Sequence, residues 1–328
     1  MARATLLLLP EAIRLGGDLA PALAEALGRT DRLPVGGTGT RAQLQRHFDL
    51  SGDDWPVAAI TRQCDARDAA TAMWLRADPA WVRAEMTGAR LFGSGDRLGI
   101  SQQDVDALLP ALQPLFADAG LALDAPDPAR WYVRLPSDAR LPTFVDADAA
   151  LGTDVFDHQP QVVAADADAG RRWRGLLNDV QVTLHNHPRN AQRVASGFPP
   201  INSLWFWGAG SYPAHVTTPH AAVHSDDVLL RSLATAAAVD AQPLPQRWQA
   251  PIAESLVDLR QARDMEALAS EWIMPAIKSL SGGASDTVIM DFMDGSQFLL
   301  SRGQRWRFWR KPLRSLSVPR VESQAPSS

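Results

Sequence analysis

The stretch from Leu184 to Gly210, LHNHPRNAQRVASGFPPINSLWFWGAG, constrains this chain more than any other. Upstream, Arg171–Leu184 has helical spacing, with Trp173, Leu176, Leu177, Val180 and Leu184 on one side. Downstream, Trp205 and Trp207 flank Phe206 with the period of two that a strand requires, so one tryptophan-bearing face is expected to be core. Between them lie His187, Asn190 and Arg193. Arginine offers a planar fork for phosphate or carboxylate, and His and Asn can complete the shell. His187, Asn190, Arg193, Asn202, Trp205 and Trp207 are therefore the candidate ligand-binding residues. The competing reading is that Asn190 and Arg193 satisfy backbone groups around a buried turn, and that Asn202 braces the tryptophan turn. Gly208 and Gly210 are expected where the chain turns tightly or another backbone comes close.

The rest of the sequence reads as alternating strands and helices. Thr5–Leu9 is an unbroken apolar run of the kind central parallel strands show. Helices are expected over Leu19–Leu27 (Asp18 capping, Gly28 stopping), Arg41–Phe48, Asp226–Val239 and Asp264–Ser279. Ser101 and Asp104 make a capping box for a helix carrying Val105, Leu108, Leu109, Leu112 and Phe116 and ending at Gly120. Strands are expected at Val57–Ile60, Arg83–Phe92, Trp131–Leu135, Ser255–Leu259 and Asp286–Phe292. Asp294-Gly295 turns the last of these into Gln297–Ser301, and a further strand is expected at Trp306–Trp309. Such alternation specifies an α/β fold with a mixed or antiparallel end.

Composition narrows the function classes. Hydrophobic residues make up 46% of the 328 and charged residues 21%, which a globular core accommodates. The net charge of −5 supplies no global field for nucleic acid, which is therefore not an expected partner. Cys64 is the only cysteine, so an intramolecular disulfide and a Cys-rich zinc site are both excluded. The apolar run at Leu6–Leu9 stops at Pro10-Glu11, too short for a signal segment or a span. A cytoplasmic protein without membrane contact is the expectation.

The pattern His187-Pro188-x-Asn190-x-x-Arg193, then Asn202-x-x-Trp205-x-Trp207-Gly208-x-Gly210, resembles the archaeal-type cofactor-independent phosphoglycerate mutases of the alkaline phosphatase superfamily. The resemblance is tight over about 30 residues and extends in outline to Val82–Glu85, Leu98–Leu112 and Asp226–Val239. The whole pattern, including the ending Asp294–Arg310, is similar to a bacterial group of phosphoglycerate mutase-like proteins, among them regulators from a pathogenicity-factor cluster. The resemblance implies a degenerate alkaline phosphatase-like α/β core at 1–79 and 201–312, an inserted α/β domain at 80–200, and a flexible tail at 313–328.

The resemblance also implies two metals held by Asp and His at strand ends, with a Ser or Thr nucleophile. This sequence departs there. Its first strand runs into Pro10-Glu11 where Asp-Gly is expected. Asp291 has no following His, Leu-Arg-Gln-Ala follows Asp258, and no histidine lies beyond His224. The resulting expectation is a non-catalytic protein with no catalytic residue, metal or cofactor, acting in regulation or binding a small phosphorylated or carboxylated metabolite. The alternatives are a mutase or phosphatase with displaced ligands, and a nucleic-acid or protein adaptor. Two further clusters carry candidate residues. His220 and His224 would share a helix face and could hold zinc, but Pro219 precedes them and no HExxH is present. Arg305, Arg307 and Trp309 form the outer face of the last strand and are candidate partner-binding residues, against the plainer reading of a charged edge.

Overall fold

The computed structural model describes residues 4–16, 19–52, 55–86, 88–158, 167–250 and 253–316, with no side-chain account of 167–169. Asp18 and the tail from 317 onward lie outside the described residues. In chain order the sheet strands are β1 (Ala4–Leu9), β2 (Asp31–Leu33), β3 (Met73–Glu85), β4 (Gly88–Ser94), β5 (Ala122–Asp127), β6 (Arg130–Leu135), β7 (Ser203–Ser211), β8 (Ala222–His224), β9 (Asp240–Gln242), β10 (Ser255–Asp258), β11 (Thr287–Phe292) and β12 (Gln297–Ser301). The helices used below are α1 (Pro21–Gly28), α2 (Gly39–Gln45), α3 (Val57–Asp65), α4 (Gln102–Asp118), α5 (Ala167–Asn186), α6 (Pro188–Ala195), α7 (Val228–Ala236) and α8 (Met274–Gly282).

The chain divides into two units, 1–49 with 215–328, and 50–214. The first holds a sheet ordered β9-β8-β10-β1-β11-β12-β2. Strands β9 through β11 are parallel, and β12 and β2 complete the edge antiparallel. Central β1 is buried from Leu6 to Leu9, as its unalternated apolar run requires. Leu7, Leu9, Val257, Met290 and Phe298 pack on one face against Trp272, Ile273, Ala276 and Leu280. Those last residues belong to a helical run that starts at Met265, capped by Asp264, and passes through one π turn at Ala269–Ile273 into α8. The hairpin β11–β12 turns at Gly295, which has φ +85.

The second unit is an antiparallel sheet in which long β3 pairs with β4 and β6 on one side and β7 on the other. Helix α4 begins on the Ser101–Asp104 capping box and lays Val105, Leu108, Leu112 and Phe116 on this sheet with Trp173, Val180 and Leu184 of α5.

Several expectations are corrected. The unit boundaries fall at 49/50 and 214/215, where 79/80 and 200/201 were expected, because β3 and β7 pair along their lengths and belong to one sheet. The strand expected at Arg83–Phe92 is two strands, β3 and β4, and Pro79 sits inside β3 with the chain buried on both sides of it. Val57–Ile60 is helical. Residues Val57 through Arg62 are all buried, and a short apolar run cannot tell a buried helix from a strand. Trp306–Trp309 is not a strand: a 3-10 turn covers Arg302–Trp306 and is capped by Ser301 and Gln304. Residues 313–316 are packed, with the Leu313 amide donating to the Ala24 carbonyl at 2.8 Å and Leu316 buried.

Candidate functional site

In open α/β sheets, ligands gather at the carboxyl ends of the strands. At that edge of the first unit, the register aligns Asp258 of β10, Leu8 of β1 and Asp291 of β11 in one row. With strands about 4.8 Å apart, the two aspartates lie roughly 10 Å from each other along the row.

Both carboxylates are gripped by arginine. Asp258 accepts from Arg260 Nε on Oδ1 and Arg260 Nη2 on Oδ2, each at 2.7 Å, and from Ser225 Oγ on Oδ2 at 2.6 Å. Arg260 also reaches Asp227, the N-cap of α7, at 3.3 Å. Both partners are buried. Burial alone would raise the Asp258 pKa, but the Arg260 charge overrides it and holds the carboxyl below its ordinary value. For Arg260 burial works against the charge, and Asp258 outweighs it, so the guanidinium titrates even higher than usual.

Asp291 is wholly buried and accepts from Arg46 Nη2 on Oδ1 at 2.6 Å and from Arg46 Nε on Oδ2 at 3.1 Å. His47 Nε2 lies 2.5 Å from Oδ2. Helix α2 delivers this set: Gln43 donates to the main-chain carbonyls of Leu9 at 3.0 Å and Asp291 at 2.7 Å, fixing the following Arg46 and His47 over the strand ends. The His47 ring lies 5.6 Å from that of His220, tilted by 53°. Burial, reinforced by His47, pushes the His220 pKa down to about 4, and its Nε2 is sealed without a hydrogen-bond partner. The third acid here, Glu11 just after β1, pairs with Arg14 at 3.0 Å.

The donor set does not fit two metals. A two-metal site holds its ions about 3.5–4 Å apart and needs carboxylate lone pairs free to bridge or ligate them. Here each strand-end carboxylate already faces a guanidinium, whose positive charge would repel a cation. Among the described residues no three His, Cys, Asp or Glu side chains are grouped to hold an ion. His220 and His224 share no helix face: His224 ends β8 and His220 lies in the turn before it.

The residues singled out in the sequence lie in the second unit, where their polar atoms serve the fold. Arg193 donates to Asp104 at 2.5 Å, the Leu98 carbonyl at 2.6 Å and the Pro199 carbonyl at 3.0 Å. Asn190 donates to the carbonyls of Leu184 and Ile201 and accepts from the Ile201 amide, a clamp across the α5–α6–β7 connection. Asn202 holds both the amide and the carbonyl of Val82. His187 caps α6 by accepting from the Arg189 amide at 3.2 Å. Trp205 donates to the Val145 carbonyl and Trp207 to Asp78. Asp78 is deeply buried, and that burial raises its carboxyl pKa despite Arg76 beside it. Asp104 joins the pieces: it closes the capping box and also takes Arg189 and Arg193. Asn190, Arg193 and Asn202 thus spend side-chain donors on bracing the fold, His187 caps α6 beside them, and Trp205 and Trp207 are the sheet-side extension.

Arg305, Arg307 and Trp309 do not share a strand face. Arg307 turns inward to Asp31 at 2.6 Å, Arg305 lies over the Trp306 ring at 4.8 Å, and Trp309 is exposed.

No family model matches the sequence. A curated relative, a probable 2,3-bisphosphoglycerate-independent phosphoglycerate mutase of Geobacter sulfurreducens, is 32% identical over 71 residues, 22% of this chain and 16% of the relative's length. Among solved structures, the PH0037 protein of Pyrococcus horikoshii superposes with a TM-score of 0.50 at 11% identity, over 96% of this chain and 91% of its own. A cofactor-independent phosphoglycerate mutase of Thermoplasma acidophilum gives 0.45 at 14% identity, over 92% and 90%. The chain carries an α/β fold like that of the PH0037 protein, and 71 of its residues resemble part of a probable 2,3-bisphosphoglycerate-independent phosphoglycerate mutase.

Proposed function

We infer that this is a non-catalytic, phosphoglycerate mutase-like protein that works in regulation by binding rather than by turnover. The observation that carries this reading is that the two aspartates of the strand-end row are each held by an arginine, Asp258 by Arg260 and Asp291 by Arg46. A guanidinium in a bidentate carboxylate grip supplies positive charge without an open coordination position, so it can stabilise the sheet edge but cannot activate a water or a phosphoryl oxygen. The regulatory side of the reading rests on the resemblance of the Asp294–Arg310 ending to regulatory phosphoglycerate mutase-like proteins.

The test is interconversion of 2- and 3-phosphoglycerate by the purified chain with manganese, cobalt or zinc, alongside thermal shift with the same phosphoglycerates. Absence of turnover with every metal is the expected result. Metal-dependent turnover lost on Asp291→Asn would overturn the reading and restore the displaced-ligand enzyme. Stabilisation by 3-phosphoglycerate that disappears on Arg193→Gln would show that Arg193 releases Asp104 to take an anion.

A further inference from the structure

Three of the exposed large hydrophobic side chains lie within four residues: Trp306 is 65% exposed, Phe308 79% and Trp309 69%. They sit in a run of basic residues with no acidic residue among them in sequence. Between Asp294 and Glu322 there is no acidic residue, while Arg302, Arg305, Arg307, Arg310, Lys311 and Arg314 fall within thirteen positions. This contrasts with the net charge of −5 of the whole chain.

The segment is braced from beneath. Gln304 is buried and donates to Asp31 and to the Leu299 carbonyl, each at 3.0 Å. Arg307 reaches Asp31, and Arg310 reaches the Thr30 carbonyl at 2.6 Å. The chain at Lys311-Pro312 lies so close over Gly28 that a Cβ there would meet the Lys311 carbonyl oxygen at 2.3 Å. Leu316 then closes on the core. The fold therefore spends its anchors on Gln304, Arg307, Arg310 and Leu316, and leaves three aromatic rings outside, with Arg302, Arg305, Lys311 and Arg314 exposed in the same run and Arg305 lying over Trp306.

We propose that this braced aromatic–basic tip adsorbs to an anionic lipid surface, with Trp306, Phe308 and Trp309 at headgroup level and the surrounding cations on lipid phosphates. Indole and phenyl rings are favoured at the membrane interface, and each nearby cation adds attraction to an anionic leaflet. The ring geometry favours this occupant over the others. Phe308 and Trp309 meet edge to face at 80° with centroids 5.5 Å apart, and one face of Trp306 is covered by Arg305, so the three rings form no open stack for bases. The adjoining cavity, about 90 Å³ and lined in part by Arg302, Gln304 and Arg305, includes none of the three rings. The expectation of no membrane contact came from the lack of a spanning segment. No helix among the described residues is long and apolar enough to cross a membrane, and adsorption from one side needs none. The inference holds whether or not the chain turns over a substrate.

The test is co-sedimentation of the full chain with vesicles of phosphatidylcholine alone and of phosphatidylcholine with about a third phosphatidylglycerol. Binding at least tenfold stronger to the anionic vesicles is expected, falling steeply in half-molar salt as the charges are screened. Replacing Trp306, Phe308 and Trp309 together by serine is expected to reduce partitioning tenfold or more. Arg302→Glu with Arg305→Glu is expected to abolish the preference for anionic lipid. All five side chains are exposed, so melting temperatures should hold. Should the serine variant fail to fold, the charge variant and the salt series decide the matter. Absence of vesicle binding overturns the proposal. So does binding to single-stranded oligonucleotide, to an acidic peptide or to a second copy that needs the same rings while vesicles stay unbound.

Discussion

Two buried carboxylates in this molecule are held by arginine, Asp258 bidentately by one and Asp104 by one contact from each of two, and they differ in meaning. Asp104 in the second unit sits among the most distinctive residues of the sequence, and its grip on Arg193 closes a brace that also uses Asn190 and two main-chain carbonyls. Asp258 in the first unit sits in an ordinary stretch, Ser255–Asp258, and its grip on Arg260 occupies the place at the strand ends where an α/β sheet does chemistry. The comparison teaches that a dense cluster of polar and aromatic residues can be the cost of building a connection. A bland Asp-Leu-Arg at a strand end can hold a buried ion pair that nothing in its sequence announces.

The comparison can be broken most sharply at Arg260. Arg260→Ala leaves Asp258 buried without its counter-charge, and a loss of about 3–5 kcal/mol of stability is expected by chemical denaturation. Asp258→Leu combined with Arg260→Met should recover most of that loss, because a packed apolar pair avoids the desolvation of both charges. Failure to recover would mean that the Ser225 and Asp227 contacts matter more than the ion pair. Arg193→Ala is expected to cost less, about 2–4 kcal/mol, since Asp104 keeps Arg189 and the Ser101 cap while the Leu98 and Pro199 carbonyls lose their donor. An Arg193 loss exceeding that of Arg260 would reverse the ranking of the two regions.

The histidine pair gives the first unit a pH signature. The folded pKa of His220 is depressed to about 4 from a reference of 6.5, so below that reference the unfolded chain binds the extra proton. The stability contribution is complete above pH 6.5 and is lost as pH falls toward 4, by at most about 3 kcal/mol. His220→Gln should flatten the melting-temperature profile across that window, and an unchanged slope would place the titration elsewhere. Gly208→Ala tests the packing of β7. Its φ is +64 and an added Cβ would meet Val57 Cβ at 2.8 Å, so a cost of about 1–3 kcal/mol is expected.

Much of this was legible in the sequence. The apolar run of β1, the Ser101–Asp104 capping box and the Asp294-Gly295 hairpin are local signals whose physics lies within a few residues, and each stands where expected. Gly208 and Gly210 also mark close approaches, to Val57 and Pro56. What the sequence hid depends on distant partners. Helix α3 is buried along Val57–Arg62, so it shows no amphipathic period to read. Long β3 runs through Pro79, which pairs with Leu204 of β7 and falls between the β6 and β4 pairings on the other side, where no ladder hydrogen bond is asked of it. At Trp306–Trp309 the alternation of rings and arginines imitates a strand, while buried Gln304 sets a 3-10 turn instead. The Arg46–Asp291 pairing spans 245 positions, so nothing local announces it, although the absence of histidine beyond His224 pointed to a changed edge.

The most direct test of the arginine-sealed edge is metal stoichiometry by titration calorimetry with manganese and zinc, on the wild-type chain and on Arg46→Ala with Arg260→Ala. The wild-type chain is expected to bind no metal at the sheet edge, so its heats should match those of an Asp258→Asn, Asp291→Asn variant. Two equivalents bound by the wild type, and lost in that asparagine variant, would contradict the account and return a working metal centre to the strand ends.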